Sequence, residues 1–491
     1  MSGASEVRSE WAFRSTSELA SALRDRRVGC VELLDHYLAR AERLNPRINA
    51  IVAWDVERAR ERARAADAAL ARGESWGPLH GVPMTIKDAI EVVGMPTTSG
   101  APELRDHRAV ENAPSVARAI EAGAVVFGKT NLPLYASDLQ SYNDVYGQTN
   151  NPWDVTRVPG GSSGGAAAAL AAGLTGFEIG SDIGGSLRSP AHYCGVYALK
   201  PSYGVVPTRG HIPGPPGTLA PADIAVVGPM GRGAEDLALG LDVLAGPDRL
   251  EAKAWRVELP PPRHERLRDF RVAVWLDHPI CPVDAEVRER LVAAVEAVAR
   301  AGAHVDERVR PADGAESFSV YLRLLFGVLA GSFSAAELAG FDAALPALGT
   351  DDRSLVADIV RGAAQRHREW GIANEHRHRL RQRWDAFFRD FDVLLAPVMP
   401  TVAFPHDHSA QMERRFVVNG TAFPYLHQLF WAGLTNVVYL PAVAAPVGLA
   451  RSGLPVGIQI AAPYLEDRTA IRFAALLAEE IGGFAPPPGF A

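Results

Sequence analysis

The chain has 491 residues, 50 basic and 57 acidic, with a net charge of −7 and a hydrophobic share of 47%. That composition supports a large buried core, and the lack of a basic stripe or lysine/arginine block argues against nucleic acid as a partner. Cys30, Cys194 and Cys281 are too few and too scattered for a disulfide framework or a zinc site and read as buried small hydrophobes.

The first eleven residues show no positively charged segment followed by an apolar core, so no secretory leader is expected. Residues 164 to 177 and 437 to 450 are the longest weakly polar runs. Both are too short and too rich in Gly, Pro and Ala to span a bilayer, so the expectation is a cytoplasmic protein with no membrane association. In chain order, residues 16 to 23, 31 to 44 and 56 to 72 carry helical spacing, the second ending at Asn45-Pro46 and the third at Gly73. A short strand is expected at 82 to 87, a helix at 114 to 121 with proline in its first turn, and a buried strand at 124 to 128. Residues 226 to 246 read as a strand and a helix, and 246 to 269, with three consecutive prolines, as a surface linker. A strand at 271 to 276 and a helix capped by Asp284 follow, then a mostly helical stretch from 311 to 385 and strands at 392 to 400 and 437 to 447. Helices and buried strands alternating in this way predict an α/β fold with a sheet between helical layers.

Residues 159 to 190 read PGGSSGGAAAALAAGLTGFEIGSDIGGSLRSP. Two glycine-flanked serine sites, Ser162-Ser163 and Ser186, bracket an alanine helix and a short strand. Glycine beside serine lets a substrate approach the main chain and leaves successive N–H groups free to point at one place. A phosphate loop, a dinucleotide fingerprint and a G-x-S-x-G elbow are all absent from it. These residues alone are compatible with a serine nucleophile and equally with two structural loops.

Only four of the 50 basic residues are lysines, at 87, 129, 200 and 253. Lysine, unlike arginine, can lose its proton at accessible pH, and three of the four lie among the motifs below.

The run from Gly160 to Gly165 and the run Gly180-Ser181-Asp182-Ile183-Gly184-Gly185-Ser186-Leu187-Arg188-Ser189-Pro190-Ala191 resemble the defining motif of the amidase signature family. Gly81-Val82-Pro83-Met84-Thr85-Ile86-Lys87-Asp88, Gly128-Lys129-Thr130-Asn131, Leu199-Lys200-Pro201-Ser202, Gly228-Pro229-Met230 and Gly453-Leu454-Pro455-Val456-Gly457-Ile458-Gln459 are similar to further family motifs, in the expected order. The resemblance implies a large mixed β-sheet core between helical layers. It also implies one domain over 1–491, made of a helical N-terminal layer (1–75), a catalytic core (76–246), the linker-like segment (247–269) and a C-terminal half (270–480) that completes the sheet and pocket.

It further implies a Ser-Ser-Lys triad. Ser186 would be the nucleophile, Ser162 the bridging serine after a cis peptide at Gly161, and Lys87 the base. The N–H groups of Ile183, Gly184, Gly185 and Ser186 would bind the oxyanion, with Asp182 and Arg188 as structural supports. Ser163 and the glycines after it would hold the turn and cap the alanine helix. A lysine can act as a base only if burial lowers its pKa, and Asp88 would oppose that unless its side chain points away. His192, His211, His406 and His408 lack ligand spacing; His406-x-His408 is the pair to test for metal, and no metal or cofactor is implied.

The segments 135–143, 211–218, 321–329 and 430–431 are apolar and aromatic, which suggests a small-molecule amide with an aryl or alkyl acyl group. Tyr135, Gly161, Tyr142, Ile212 and Trp431 are the substrate-binding candidates. The leading expectation is a stand-alone amidohydrolase with esterase side activity, with a homodimer left open. One alternative is the catalytic A subunit of a glutamyl-tRNA amidotransferase, and another is a catalytically dead binding protein of the same fold. Leu132-Pro133-Leu134-Tyr135 departs from the Asp-Glu-Phe-like run usual in the amidotransferase, as does the apolar run at 210 to 216.

Overall fold

The computed structural model describes residues 10–212 and 215–490. Residues 213 and 214, inside the expected pocket segment 211–218, lie outside the described residues, as does the start of the expected N-terminal layer. Fifteen strands are described: β1 (Ile51–Trp54), β2 (Pro83–Lys87), β3 (Val125–Thr130), β4 (Tyr142–Asn143), β5 (Gly147–Gln148), β6 (Glu178–Asp182), β7 (Tyr197–Lys200), β8 (Val226–Gly231), β9 (Arg271–Val274), β10 (His304–Asp306), β11 (Val393–Pro397), β12 (Arg415–Val418), β13 (Thr421–Pro424), β14 (Ala442–Leu449) and β15 (Pro455–Ala461). Eleven of them form one mixed sheet in the order β1-β3-β2-β6-β8-β7-β14-β15-β11-β9-β10. β2 pairs in parallel with β3 and β6, and β9 in parallel with β10 and β11. The strands β2, β3, β6, β8, β11 and β15 are buried along their whole length; β8, β11 and β15 are largely apolar, as burial on both faces requires, while β6 (EIGSD) buries Glu178, Ser181 and Asp182 with polar partners.

Helices cover both faces, and their ends follow local chemistry. Ser15 and Glu18 close a capping box on the helix Thr16–Arg24, and Asp284 caps Ala285–Arg300 through Glu286 N. The helix Cys30–Ile48 runs past Pro46, where a stop was expected. Proline falls in its last turn, and Asn49 in left-handed conformation ends it. The N-terminal layer, expected to be helical, also supplies edge strand β1, paired antiparallel with β3. Residues 437–441, expected in a strand, form the turn between the helix Leu429–Asn436 and β14.

This architecture places the chemistry. β2 and β6 lie side by side, so Lys87 at the end of β2 and Ser181 near the end of β6 emerge together. The alanine helix Gly164–Ala171, buried throughout, brings its N-terminus up to them. A Cβ on Gly165 would sit 2.4 Å from Asn131 N, so only glycine lets this helix pack so closely on the end of β3.

Candidate active site

Lys87 is fully buried, with its Nζ 2.6 Å from Ser162 Oγ, 3.0 Å from Ser163 Oγ and 3.0 Å from Ser181 Oγ. No carboxylate is among these contacts. Burial pulls the Lys87 ammonium down to about 7, against the opposing attraction of Asp182. Asp88 does point away: its Oδ2 accepts from Thr98 N at 3.1 Å and from Thr98 Oγ1 at 2.5 Å, and its Oδ1 lies 3.4 Å from Lys129 Nζ.

The Gly161–Ser162 peptide is cis. A Cβ at Gly161 would stand 2.4 Å from Gln140 O and 2.5 Å from Asp138 O, so the backbone at 138–140 occupies the place of a side chain. Ser163 does not cap the alanine helix with its side chain; its Oγ meets Lys87 and donates to Ser181 O at 3.3 Å. Neither Ser163 nor Ser181 was expected at the base. The signal for Ser181 is its place one residue before Asp182 on the strand beside β2.

Ser163 N donates to Ser186 O at 3.1 Å, tying the two serine loops together. Ser186 is 6% exposed where Lys87 has no exposure, so an incoming group can reach the first and not the second. The loop from Ile183 to Ser186 is held from behind. Asp182 accepts from Gly185 N at 2.9 Å and Leu187 N at 3.1 Å. Burial would raise its pKa, but the Arg188 guanidinium holds it well below the usual carboxylate range. Arg188 also donates to Thr435 Oγ1 at 2.7 Å, to Asn436 Oδ1 at 2.6 Å and to Gln459 Oε1. Tyr321 reaches across to donate to Ile183 O at 3.0 Å. Asp182 and Arg188 are thus structural, as expected. The oxyanion set needs correction at one position: Gly185 N–H is engaged by Asp182, and among the described residues nothing accepts from the N–H groups of Ile183, Gly184 and Ser186.

The five substrate-binding candidates divide. Gly161 adjoins Ser162. Ile212 is buried beside the exit of β2, its N donating to Ala89 O at 2.7 Å. Tyr142 is half-buried, stacked on His408 at 3.8 Å, with its hydroxyl accepting from Arg414 at 2.7 Å. The Tyr135 hydroxyl is turned to the surface, where it donates to Glu103 at 2.5 Å. Trp431 is core, fully buried against Trp275 and Phe430, with its indole N–H on Cys281 O. A cavity of about 930 Å³ opens along the helix Gly314–Leu329, lined among others by Phe318, Leu322, Met412, Tyr425 and His427; Ser162, Ser163, Ser181 and Ser186 do not line it. No cluster of three or more His, Cys, Asp or Glu that could hold a metal occurs among the described residues. None of the described helices is long and apolar enough to cross a membrane.

A family model described as Amidase matches residues 32–471. Among curated relatives, the A subunit of the glutamyl-tRNA(Gln) amidotransferase of Gloeobacter violaceus is 33% identical over 94% of this chain and 95% of its own length. That of Roseiflexus sp. is 32% identical over 93% and 94%. Among solved structures, a bacterial aryl acylamidase of the amidase signature family superposes with a TM-score of 0.80 at 26% identity, covering 96% of each chain. The A subunit of the Thermotoga maritima amidotransferase superposes with a TM-score of 0.74 at 25% identity, over 97% of this chain and 98% of its own. Across nearly its whole length, therefore, the chain belongs to the amidase family, enzymes that act on amide C–N bonds.

Proposed function

We propose that the chain cleaves an amide through an acyl-serine on Ser186, with Ser162 relaying protons to and from Lys87. The observation that carries this is the buried Lys87 Nζ, 2.6 Å from Ser162 Oγ, whose pKa burial lowers to about 7, so that a substantial share of it is neutral at pH 7. Neutral Lys87 accepts the Ser162 proton while Ser162 accepts that of Ser186. The Ser186 oxygen bonds to the carbonyl carbon, and the carbonyl π pair moves onto oxygen, where the N–H groups of Ile183, Gly184 and Ser186 receive it. Each such donor is typically worth about 10²–10³ in rate. As the C–N bond breaks, the proton returns along Lys87 and Ser162 to the leaving nitrogen. Water repeats the sequence on the acyl-serine and releases the carboxylate.

Two substrates are compatible with this chemistry. The curated relatives, alike over nearly the full length, favour the catalytic component of a glutamyl-tRNA amidotransferase, in which the amide nitrogen is passed on rather than released. The closer superposition on the aryl acylamidase, with the departure of Leu132-Pro133-Leu134-Tyr135 from the Asp-Glu-Phe-like run of the amidotransferase, favours a small-molecule amide, for which we propose an aryl or alkyl acyl group. Assays of the purified chain alone on glutamine and on a panel of aryl and alkyl amides separate them. Robust turnover of the panel by the chain on its own supports the hydrolase. Activity confined to glutamine, and stimulated by the other amidotransferase components, supports the amidotransferase.

A further inference from the structure

The residue next in the chain to Lys87 is a buried aspartate, the worst neighbour for a lysine that must be neutral. An unbalanced carboxylate charge nearby favours the protonated form of a lysine. Its charge is met by a second buried lysine. Lys129 Nζ lies 3.4 Å from Asp88 Oδ1 and donates to Ile90 O at 2.8 Å, Thr97 Oγ1 at 3.0 Å and Pro96 O at 3.2 Å. Both side chains have no exposure. The strand pairing explains the separation of the two lysines. Lys87 stands opposite Thr130 and Ile86 opposite Lys129, so alternation sends Lys87 and Lys129 to opposite faces of β2 and β3. Among the described residues, Lys87 Nζ hydrogen-bonds only serine hydroxyls, and the Asp88 carboxylate meets only Thr98 and Lys129.

We propose that Lys129 is a positioning residue for the reaction: it holds Asp88 in a pair of zero net charge on the far side of the strand, so that the carboxylate beside the base does not keep the base protonated. This rests on Lys87 being the base. The pair is uncharged overall whether the shared proton sits on nitrogen or on oxygen, so its effect does not depend on which form prevails. The site admits lysine because its acceptors close around a single point; a planar guanidinium does not fit that cage. Of the 50 basic residues only four are lysines, and 129 is one of them.

The other groups facing this region leave that role to the pair. Asp182, from β6, faces Lys87 but is gripped by Arg188. His211, whose neighbourhood bridges to Ile90, is pushed down to about 3 by burial and by Lys87, and is neutral. Glu178 and Glu91 face Lys129; burial pushes Glu178 up to about 8, so it is largely uncharged at pH 7. Tyr146, beside Asp88, stays protonated.

The test is the pH profile of kcat/KM on one amide for wild type, Lys129→Met, Asp88→Asn and the double variant. The wild type should show a limb rising through about pH 7. In Lys129→Met its midpoint should climb by at least about half a unit, and Lys129→Met/Asp88→Asn should bring it back to the wild-type value. A lower rate with an unmoved midpoint in Lys129→Met overturns the proposal, because a merely structural lysine would give that result. If Lys129→Met does not fold, Asp88→Asn decides: an unbalanced Lys129 charge should lower the midpoint by a similar amount, and an unmoved one overturns the proposal. A limb that persists in Lys87→Ala is a different failure, since it defeats Lys87 as the base and the proposal with it.

Discussion

Asp182 and Arg188 form a buried bidentate pair, Oδ1 to Nη2 at 2.9 Å and Oδ2 to Nε at 3.0 Å, and the same carboxylate fixes the N–H groups of Gly185 and Leu187. One side chain therefore sets the shape of the Ser186 loop and anchors it, through Arg188, to the helix Leu429–Asn436 and to β15. Removing one partner of a buried pair leaves the other charge uncompensated, which typically costs about 3–5 kcal/mol. Asp182→Asn should lower stability by about that much in urea unfolding and reduce kcat more than it raises KM, because the loop orients the nucleophile. A variant with wild-type stability and kcat would mean that the pair does not hold the loop.

Lys87 should leave a mark on stability as well as on rate. Burial holds it near 7 in the folded chain against its ordinary 10.5, so between these pH values the unfolded chain binds the extra proton and folding gains as pH rises. Below about pH 7 both states are protonated and the gain is gone. Against Lys87→Met, in which the other titrations cancel, wild type should gain about 1.4 kcal/mol per pH unit across that window. Urea unfolding of both proteins at several pH values measures it; a constant difference would place the folded pKa of Lys87 at its ordinary value.

Gly161→Ala should damage the site through packing alone. Its Cβ would fall 2.4 Å from Gln140 O, a backbone atom that cannot swing aside. Overpacking typically costs about 1–3 kcal/mol, and here the strain falls on the peptide that carries Ser162. The expected outcome is a lower melting temperature together with a large loss of kcat. Full activity would show that Ser162 need not be held where it is.

Lys87→Ala should hurt amides more than matched esters. An amine must be protonated before it leaves, whereas an alkoxide or phenoxide needs less help, and general acid–base catalysis is typically worth about 10²–10⁴-fold. Steady-state rates on an amide and ester of equal acyl group decide it; equal losses at every pH would mean that Lys87 does not protonate the leaving group.

Much of this was legible in the residues. The helix Pro114–Glu121 matches its expected bounds, because proline at its start and the Gly123 turn beyond its end punctuate it. The buried strands around Lys87 and the roles of Asp182 and Arg188 were readable from motif order and from the rule that a buried guanidinium needs a carboxylate. What was missed depends on long-range packing. Apolarity marks Trp431 as buried but does not say whether a pocket or the core buries it. Gly185 looks like a free donor until Asp182, three residues back, folds over its N–H. Ser163 looks like a helix cap until β2 and β6 are paired and Lys87 arrives beside it.

The most direct test of the account is where a fluorophosphonate bonds to the protein. Peptide mapping after labelling at pH 8 should place a single adduct on Ser186, absent in a folded Ser186→Ala variant and formed far more slowly in Lys87→Ala. An adduct on another serine, or labelling that survives in Ser186→Ala, would contradict the assignment of Ser186 as the nucleophile served by Lys87.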